Sequence, residues 1–274
     1  VMRLVGSEMC IRDRFYTYIS SLHYVMEACA ENNVNLIILD RPNPNGFYID
    51  GPILDLEFRS FVGMHPVPVV HGMTIGEYAN MINGEKWLNN MIQCSLNVIP
   101  CLNYDHSTRY ILPIPPSPNL PNMRSIYLYP SLCFFEGTNV SIGRGTDFPF
   151  QVFGAPYFNK TQFSFTPQAT YGAKNPKHKQ KTCYGLDLRI LPIDSLQNIN
   201  KLNLKWLVNS YKLSKESEVF FNKNNFFNLL AGSDKLMNLV KGGANASHIY
   251  DTYQKDLRDY KIIRKRYLIY KDFE

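Results

Sequence analysis

Residues 135–150 read FEGTNVSIGRGTDFPF and concentrate groups that can do chemistry. Glu136 supplies a carboxylate, Arg144 a guanidinium, Asp147 a second acid, and Asn139, Ser141 and Thr146 supply amide and hydroxyl groups. Gly137, Gly143 and Gly145 interrupt the run, which lets backbone adopt positive φ and approach a ligand closely. A guanidinium is a rigid fork matched to a carboxylate or a phosphate. Carboxyls beside hydroxyl-reading groups suit sugar chemistry, where one or two of them act as acid, base or nucleophile. The competing reading is a loop whose polar groups bond only one another.

Other chemistries lack their motifs. The chain carries no GxGxxG fingerprint, no GxxxxGK[ST] loop, no GxSxG elbow and no HExxH pair. Cys10, Cys29, Cys94, Cys101, Cys133 and Cys183 form no CxxC pair and no Cys/His ligand spacing, so neither a metal site nor a disulfide framework is expected. No cofactor is expected either. The net charge of +6 comes mostly from Lys174, Lys177, Lys179 and Lys181 and from the run Lys255 to Lys271. The latter alternates with apolar residues at helical spacing and reads as a solvated helix face, so no nucleic-acid partner is expected. No apolar run reaches the roughly 18 residues that span a bilayer. Aromatics make up 14% of the chain. They suit a carbohydrate, because a ring covers C–H surface while a tyrosine hydroxyl bonds outward, though a plain aromatic core accounts for them more simply.

The elements that must position these groups read as α/β. Phe15 to Asn32 has helical periodicity, and VNLIILD, residues 34–40, reads as a strand buried on both faces of a parallel sheet. Helix, buried strand and polar loop make a unit of a doubly wound domain, whose ligand loops lie beyond the strand C-termini. The loop DRPNPNG is stiffened by Pro42 and Pro44 and could hold Asp40, Arg41 and Asn43 ready; a plain Pro/Asn/Gly connection is the alternative. In HGMTIGEYANMI, Thr74 and Glu77 form a capping box, so Glu77 reads as a cap ahead of a catalyst. His71 stands between a VPVV strand and that helix. CSLNVIPCL reads as a further strand, and the proline-dense LPIPPSPNLPN as a crossing between lobes, with Asn119 among its polar groups.

Downstream, Ser131 to Phe135 reads as a short strand or a helix end, 151–180 as loop with short strands, and TCYGLDLRIL as a strand. Helices are expected at 201–213, 216–231, 234–241 and 247–266, with Gly232 and Ser233 as C-cap and N-cap. The leader VMRLVGSEMCIRDR, residues 1–14, has neither signal-peptide nor clear amphipathic character and is set aside as non-native. The expected domains are 15–115, the remainder of a Rossmann-like domain, and 116–274, a smaller α/β domain.

FYTYISSLHYVMEA, LDRPNPNG, HGMTIGE, PPSPNLP, FEGTNVSIGRGTDFPFQVFGAPY and RKRYLIYKDF together resemble the bacterial NamZ-type exo-β-N-acetylmuramidases, long catalogued as a domain of unknown function. The resemblance covers residues 14–274. It implies a partial Rossmann-like domain followed by a smaller α/β domain, an active-site cleft between them, and release of N-acetylmuramic acid from non-reducing ends of peptidoglycan fragments. It implies peptidoglycan-derived muramyl saccharides as partners and a periplasmic or secreted location. Glu136 is then the catalytic carboxylate within the chain, and Arg144 the partner of the lactyl carboxylate that separates N-acetylmuramic acid from N-acetylglucosamine. Asp40, Arg41, Asn43, His71 and Asn119 would line the cleft, with Tyr16, Asn139, Ser141 and Asp147 as further contacts and Glu77 as cap or second carboxylate.

The family's N-terminal part, with a Glu-His-Gly segment whose glutamate is associated with catalysis, has no match here. The expectation is therefore a fragment that lacks strands and one carboxyl, inactive alone and poorly stable through exposed sheet edges. Two rival readings stand: a non-catalytic cell-wall sugar-binding protein, and a peptidoglycan esterase or amidase.

Overall fold

The computed structural model describes residues 13–159, 162–214 and 220–274. The chain is mixed α/β and divides into two units, residues 1–111 with 254–274, and residues 112–253.

In the first unit, helix α1 (Tyr18–Glu31) buries Ile19, Leu22, Met26 and Cys29 and packs on helix α2 (Ile75–Gly84). Strands β1 (Leu36–Leu39) and β2 (Leu96–Ile99) pair in parallel, with Leu36 opposite Leu96 and Leu39 opposite Ile99. Leu36 and Ile38 are buried, whereas Leu39 and Ile99 are 54% and 45% exposed. The expectation of a strand buried on both faces is therefore corrected. Alternate side chains point to opposite faces, and only the Leu36 and Ile38 face is covered among the described residues.

The expected VPVV strand reduces to one bridge, Asp50 to Val70, because Pro66 and Pro68 withhold the N–H groups a ladder needs. Residues 1–12 of the leader lie outside the described residues. Asp13 and Arg14, set aside with it, are instead buried in this unit, where Arg14 Nη1 donates to the carbonyls of Pro52 (3.0 Å) and Val67 (2.9 Å).

The last helix, Ala246–Lys265, bears the basic run, and its residues from Gln254 on belong to this unit. Arg258, Lys255 and Lys265 are solvated as expected, but Arg264 is fully buried. It donates to the Gly72 carbonyl through Nε (3.1 Å) and Nη2 (2.7 Å) and pairs with Asp272 at 2.8 Å.

In the second unit, α3 (Met123–Leu132) runs directly into a 3-10 turn, Cys133–Gly137. The central strand β5 (Cys183–Asp187) pairs antiparallel with β3 (Val152–Ala155) and β4 (Ser164–Phe165). Strand β5 stops at Asp187 rather than Leu191, and a short helix unforeseen from sequence, α4 (Ile193–Gln197), follows Pro192. Helices α5 (Leu204–Leu213), α6 (Phe226–Ala231), α7 (Lys235–Lys241) and α8 (Ala246–Lys265) complete the order. Of the helix expected at 216–231, residues 216–219 lie outside the described residues, Phe220 is helical, residues 221–225 are not, and the next helix starts at Phe226. Gly232, at φ +80, ends α6 as expected, but Asp234 rather than Ser233 stands at the N-cap position of α7, with no side-chain bond to the helix end.

Candidate functional site

The site grows from the turn that follows α3. Phe134 and Phe135 are fully buried, and Phe135 stacks on Phe153 at 5.0 Å with 19° between the rings. These anchors leave the next side chain, that of Glu136, half-buried at a surface. Gly137 is required by packing: a Cβ there would lie 2.4 Å from Phe227 Cα, so only glycine admits α6 at this distance. The strand-like stretch beyond is tied down by Asn139 N–H on the Phe220 carbonyl (2.6 Å) and Ser141 N–H on the Gly154 carbonyl (2.9 Å).

Gly143 (φ +77) and Gly145 (φ +83) bend the chain so that Arg144 faces back to this turn. Arg144 Nη2 donates to Glu136 Oε1 at 2.5 Å. Phe150 lies with its ring 5.4 Å from the guanidinium carbon and 4.9 Å from the Tyr129 ring. Phe150 is fully buried and sits at φ +56, a left-handed conformation that costs a bulky residue roughly 1–3 kcal/mol. Its N–H bond to the Ile142 carbonyl (2.7 Å) and its packing hold it there. Arg144 Nε is buried without a hydrogen-bond partner among the described residues.

Lys177 completes the cluster. Its ammonium donates to the carbonyls of Phe135 (2.9 Å), Glu136 (3.0 Å) and Thr138 (2.5 Å). Burial pushes its pKa down to about 8; Glu136 opposes that shift and Arg144 adds to it. Beside it, His178 bonds through Nε2 to the Asn139 carbonyl at 2.8 Å.

These groups border a cavity of about 330 Å³, lined among others by Glu136, Ser141, Arg144, Lys174, Lys177 and Phe226. Three of these six are cations and one is an anion, so the cavity favours an anionic ligand of small size. Sequence reasoning missed Lys177 and Phe226. Lys177 was one of four lysines in a charged loop, and nothing in NPKHKQK marks which lysine turns inward.

The other expected site residues fall as follows. In the second unit, Ser141 shares the cavity with Glu136 and Arg144. Asn139 offers its backbone carbonyl to Tyr157 and His178, Asn119 Nδ2 donates to the Gly172 carbonyl (2.8 Å), and Asp147 is exposed.

In the first unit the expected residues serve internal links. Asp40 Oδ1 accepts from the N–H of Arg41 and of Gly76 (both 2.9 Å), and Oδ2 from Thr74 Oγ1 (2.6 Å) and the Tyr270 hydroxyl (2.7 Å). Buried Asn43 donates to the Met73 carbonyl, and buried His71 accepts the Met73 N–H at Nδ1. Tyr16 donates its N–H to Asp13 and packs edge-on against Tyr18. Glu77 closes the capping box with Thr74 and also accepts from His106 Nε2 (2.9 Å) and the Ile269 N–H (2.9 Å). Burial alone would raise the Glu77 carboxyl, but the bond and charge of His106 and the backbone donors bring it below the ordinary value. Among the described residues no group of three His, Cys, Asp or Glu is placed to hold a metal ion, and no helix is long and apolar enough to cross a membrane.

Comparison with known proteins returns two family matches. Residues 10–124 match "Exo-beta-N-acetylmuramidase NamZ, N-terminal", and residues 127–270 match the corresponding C-terminal family. A "Peptidoglycan beta-N-acetylmuramidase NamZ" of Bacillus subtilis (strain 168) is 36% identical over 273 aligned residues, which cover 94% of this chain. The chain spans 64% of that relative's length. A crystal structure of a DUF1343 family protein from Bacteroides fragilis NCTC 9343 superposes with a TM-score of 0.93 at 49% identity, covering 96% of this chain and 74% of the other. A second protein of that family and organism gives 0.80 at 27% identity, with 96% and 73% covered.

Proposed function

The chain belongs to the NamZ family of exo-β-N-acetylmuramidases, and from that premise we propose that its second-unit cavity binds the muramyl residue of peptidoglycan fragments during glycosidic cleavage. The observation that carries this reading is the Glu136–Arg144 pair lining a cationic, sugar-sized cavity. N-acetylmuramic acid differs from N-acetylglucosamine by a lactyl ether that ends in a carboxylate. A guanidinium has five N–H donors, and the bond to Glu136 leaves others for that carboxylate.

In this reading Glu136 works as an anion. Cleavage passes through an oxocarbenium-like transition state, and a carboxylate held by Arg144, on a turn whose backbone carbonyls bind the Lys177 ammonium, is fixed in place to face the charge that builds there. Ser141 offers a hydroxyl to the ring substituents, and Phe226 an apolar face. Glu136 is the one carboxylate among the described residues lining the cavity, whereas glycoside hydrolysis ordinarily employs two carboxyls. We therefore expect the 274-residue chain on its own to bind muramyl saccharide without turning it over. A periplasmic or secreted location follows from the substrate and is part of the same proposal.

Release of chromophore from a β-N-acetylmuraminide tests hydrolysis. It is expected from a chimera that joins this chain to the remaining portion of the Bacillus relative, and not from the chain alone. Turnover by the chain alone would overturn the expectation of inactivity. Binding without turnover by the chimera would favour the second reading, a sugar-binding protein. The observation behind that second reading is that Glu136 is already paired within its own loop.

A further inference from the structure

The three carbonyls that converge on Lys177 belong to Phe135, Glu136 and Thr138, the backbone of the turn that presents Glu136. An ammonium has three N–H donors and no lone pair, so its donors match these acceptors one for one. A neutral amine has two donors and a lone pair, which would face one carbonyl oxygen and repel it. The same turn is also held by Asn222, whose N–H donates to the Gly137 carbonyl and whose Nδ2 donates to that of Glu136, the carbonyl Lys177 shares. Those neutral bonds remain whatever the state of the lysine.

We propose that Lys177 is a positioning residue: its ammonium clamps the turn carrying Glu136, and loss of its proton loosens that turn and the Glu136–Arg144 pair together. The charged and titratable groups facing Lys177 are Glu136, Arg144 and Cys133, with His178 adjacent. Burial and Arg144 oppose the ammonium and Glu136 supports it, which places its titration at about 8 and within reach of mild alkaline conditions. A guanidinium does not titrate under mildly alkaline conditions. A ligand carboxylate would therefore meet a fully charged guanidinium on a displaced frame.

The inference rests on the muramyl reading only for its ligand arm, and the two are tested separately. Backbone amide resonances of Gly137, Thr138 and Asn139 are followed by NMR from pH 6.5 to 9.5 in the 274-residue protein and in Lys177→Arg, whose guanidinium stays protonated. A shared midpoint near 8 in the former and its absence in the latter support the clamp. No midpoint, or the same midpoint in both, overturns it, and a loss of dispersion across the whole second unit would also overturn it by showing unfolding rather than local release.

The second arm is the affinity for N-acetylmuramic acid over the same range. It should fall by about tenfold or more with that midpoint in the native chain and stay flat in Lys177→Arg. Amides that titrate while affinity stays flat leave the clamp standing and count against the muramyl assignment of the cavity.

Discussion

At the residue scale, the decisive question is whether a polar side chain spends its bonds inside the chain or keeps them for a ligand. The sequence marks Asp40 and Glu136 equally, as acids in loops rich in Gly, Pro and Asn. The structure separates them. Asp40 is 6% exposed and engaged by four donors, one of them the Tyr270 hydroxyl 230 positions away. Glu136 keeps one oxygen on Arg144 and faces a cavity. No local pattern could reveal the Tyr270 partner, because only the folded chain brings it near. Glu136 and Arg144 were legible as a pair because they stand in one loop, eight positions apart. Glu136→Gln keeps the shape and the hydrogen bond but removes the charge opposite the developing cation. In the chimera assayed on a β-N-acetylmuraminide it should lower kcat by about a hundredfold or more with little change in KM, since charge stabilisation of this kind is worth roughly 2.7–4 kcal/mol. Unchanged kcat would remove Glu136 from the chemistry.

At the scale of elements, periodicity and caps read well and strand faces read poorly. The capping box of α2 was evident in Thr74 and Glu77, and the glycine ending α6 in Gly232. The burial of β1 was not, because an apolar run looks the same whether one or both faces are covered. VPVV failed as a strand for a reason present in the sequence, Pro66 and Pro68. The site depends most on one contact between elements, that of the Glu136 turn with α6 through Gly137. Gly137→Ala would place a Cβ 2.4 Å from Phe227 Cα and force the two apart. The expected cost is about 1–3 kcal/mol of second-unit stability. The chain has two tryptophans, Trp87 in the first unit and Trp206 in the second. Denaturant melting followed through Trp206 in a Trp87→Phe background should show the loss; an unchanged midpoint would mean the turn has slack there.

At the scale of the whole molecule, the two units carry different chemistry. The first is tied by buried polar links between distant segments: His23 Nδ1 lies 3.0 Å from His65 Nε2, and His65 Nδ1 lies 3.1 Å from the Tyr78 hydroxyl. Burial lowers the pKa of both histidines, and Arg59 lowers both further. The unfolded chain then takes up protons below the ordinary histidine value of 6.5 while the folded unit refuses them. Stability is therefore full above that pH and falls beneath it, by up to about 1.4 kcal/mol per pH unit for each histidine. Trp87, stacked on His65 at 4.9 Å, should report the fall in a Trp206→Phe background, and His23→Gln should flatten it. Stability independent of pH from 7 to 5 would show that the pair is not buried neutral. The second unit carries the cavity, and the account stands on what that cavity recognises. The most direct measurement is calorimetric binding of N-acetylmuramic acid against N-acetylglucosamine by the 274-residue chain and by Arg144→Lys. The account predicts at least about tenfold preference for the muramyl sugar, largely lost in the variant. Equal affinities, or a preference that survives the substitution, would contradict it.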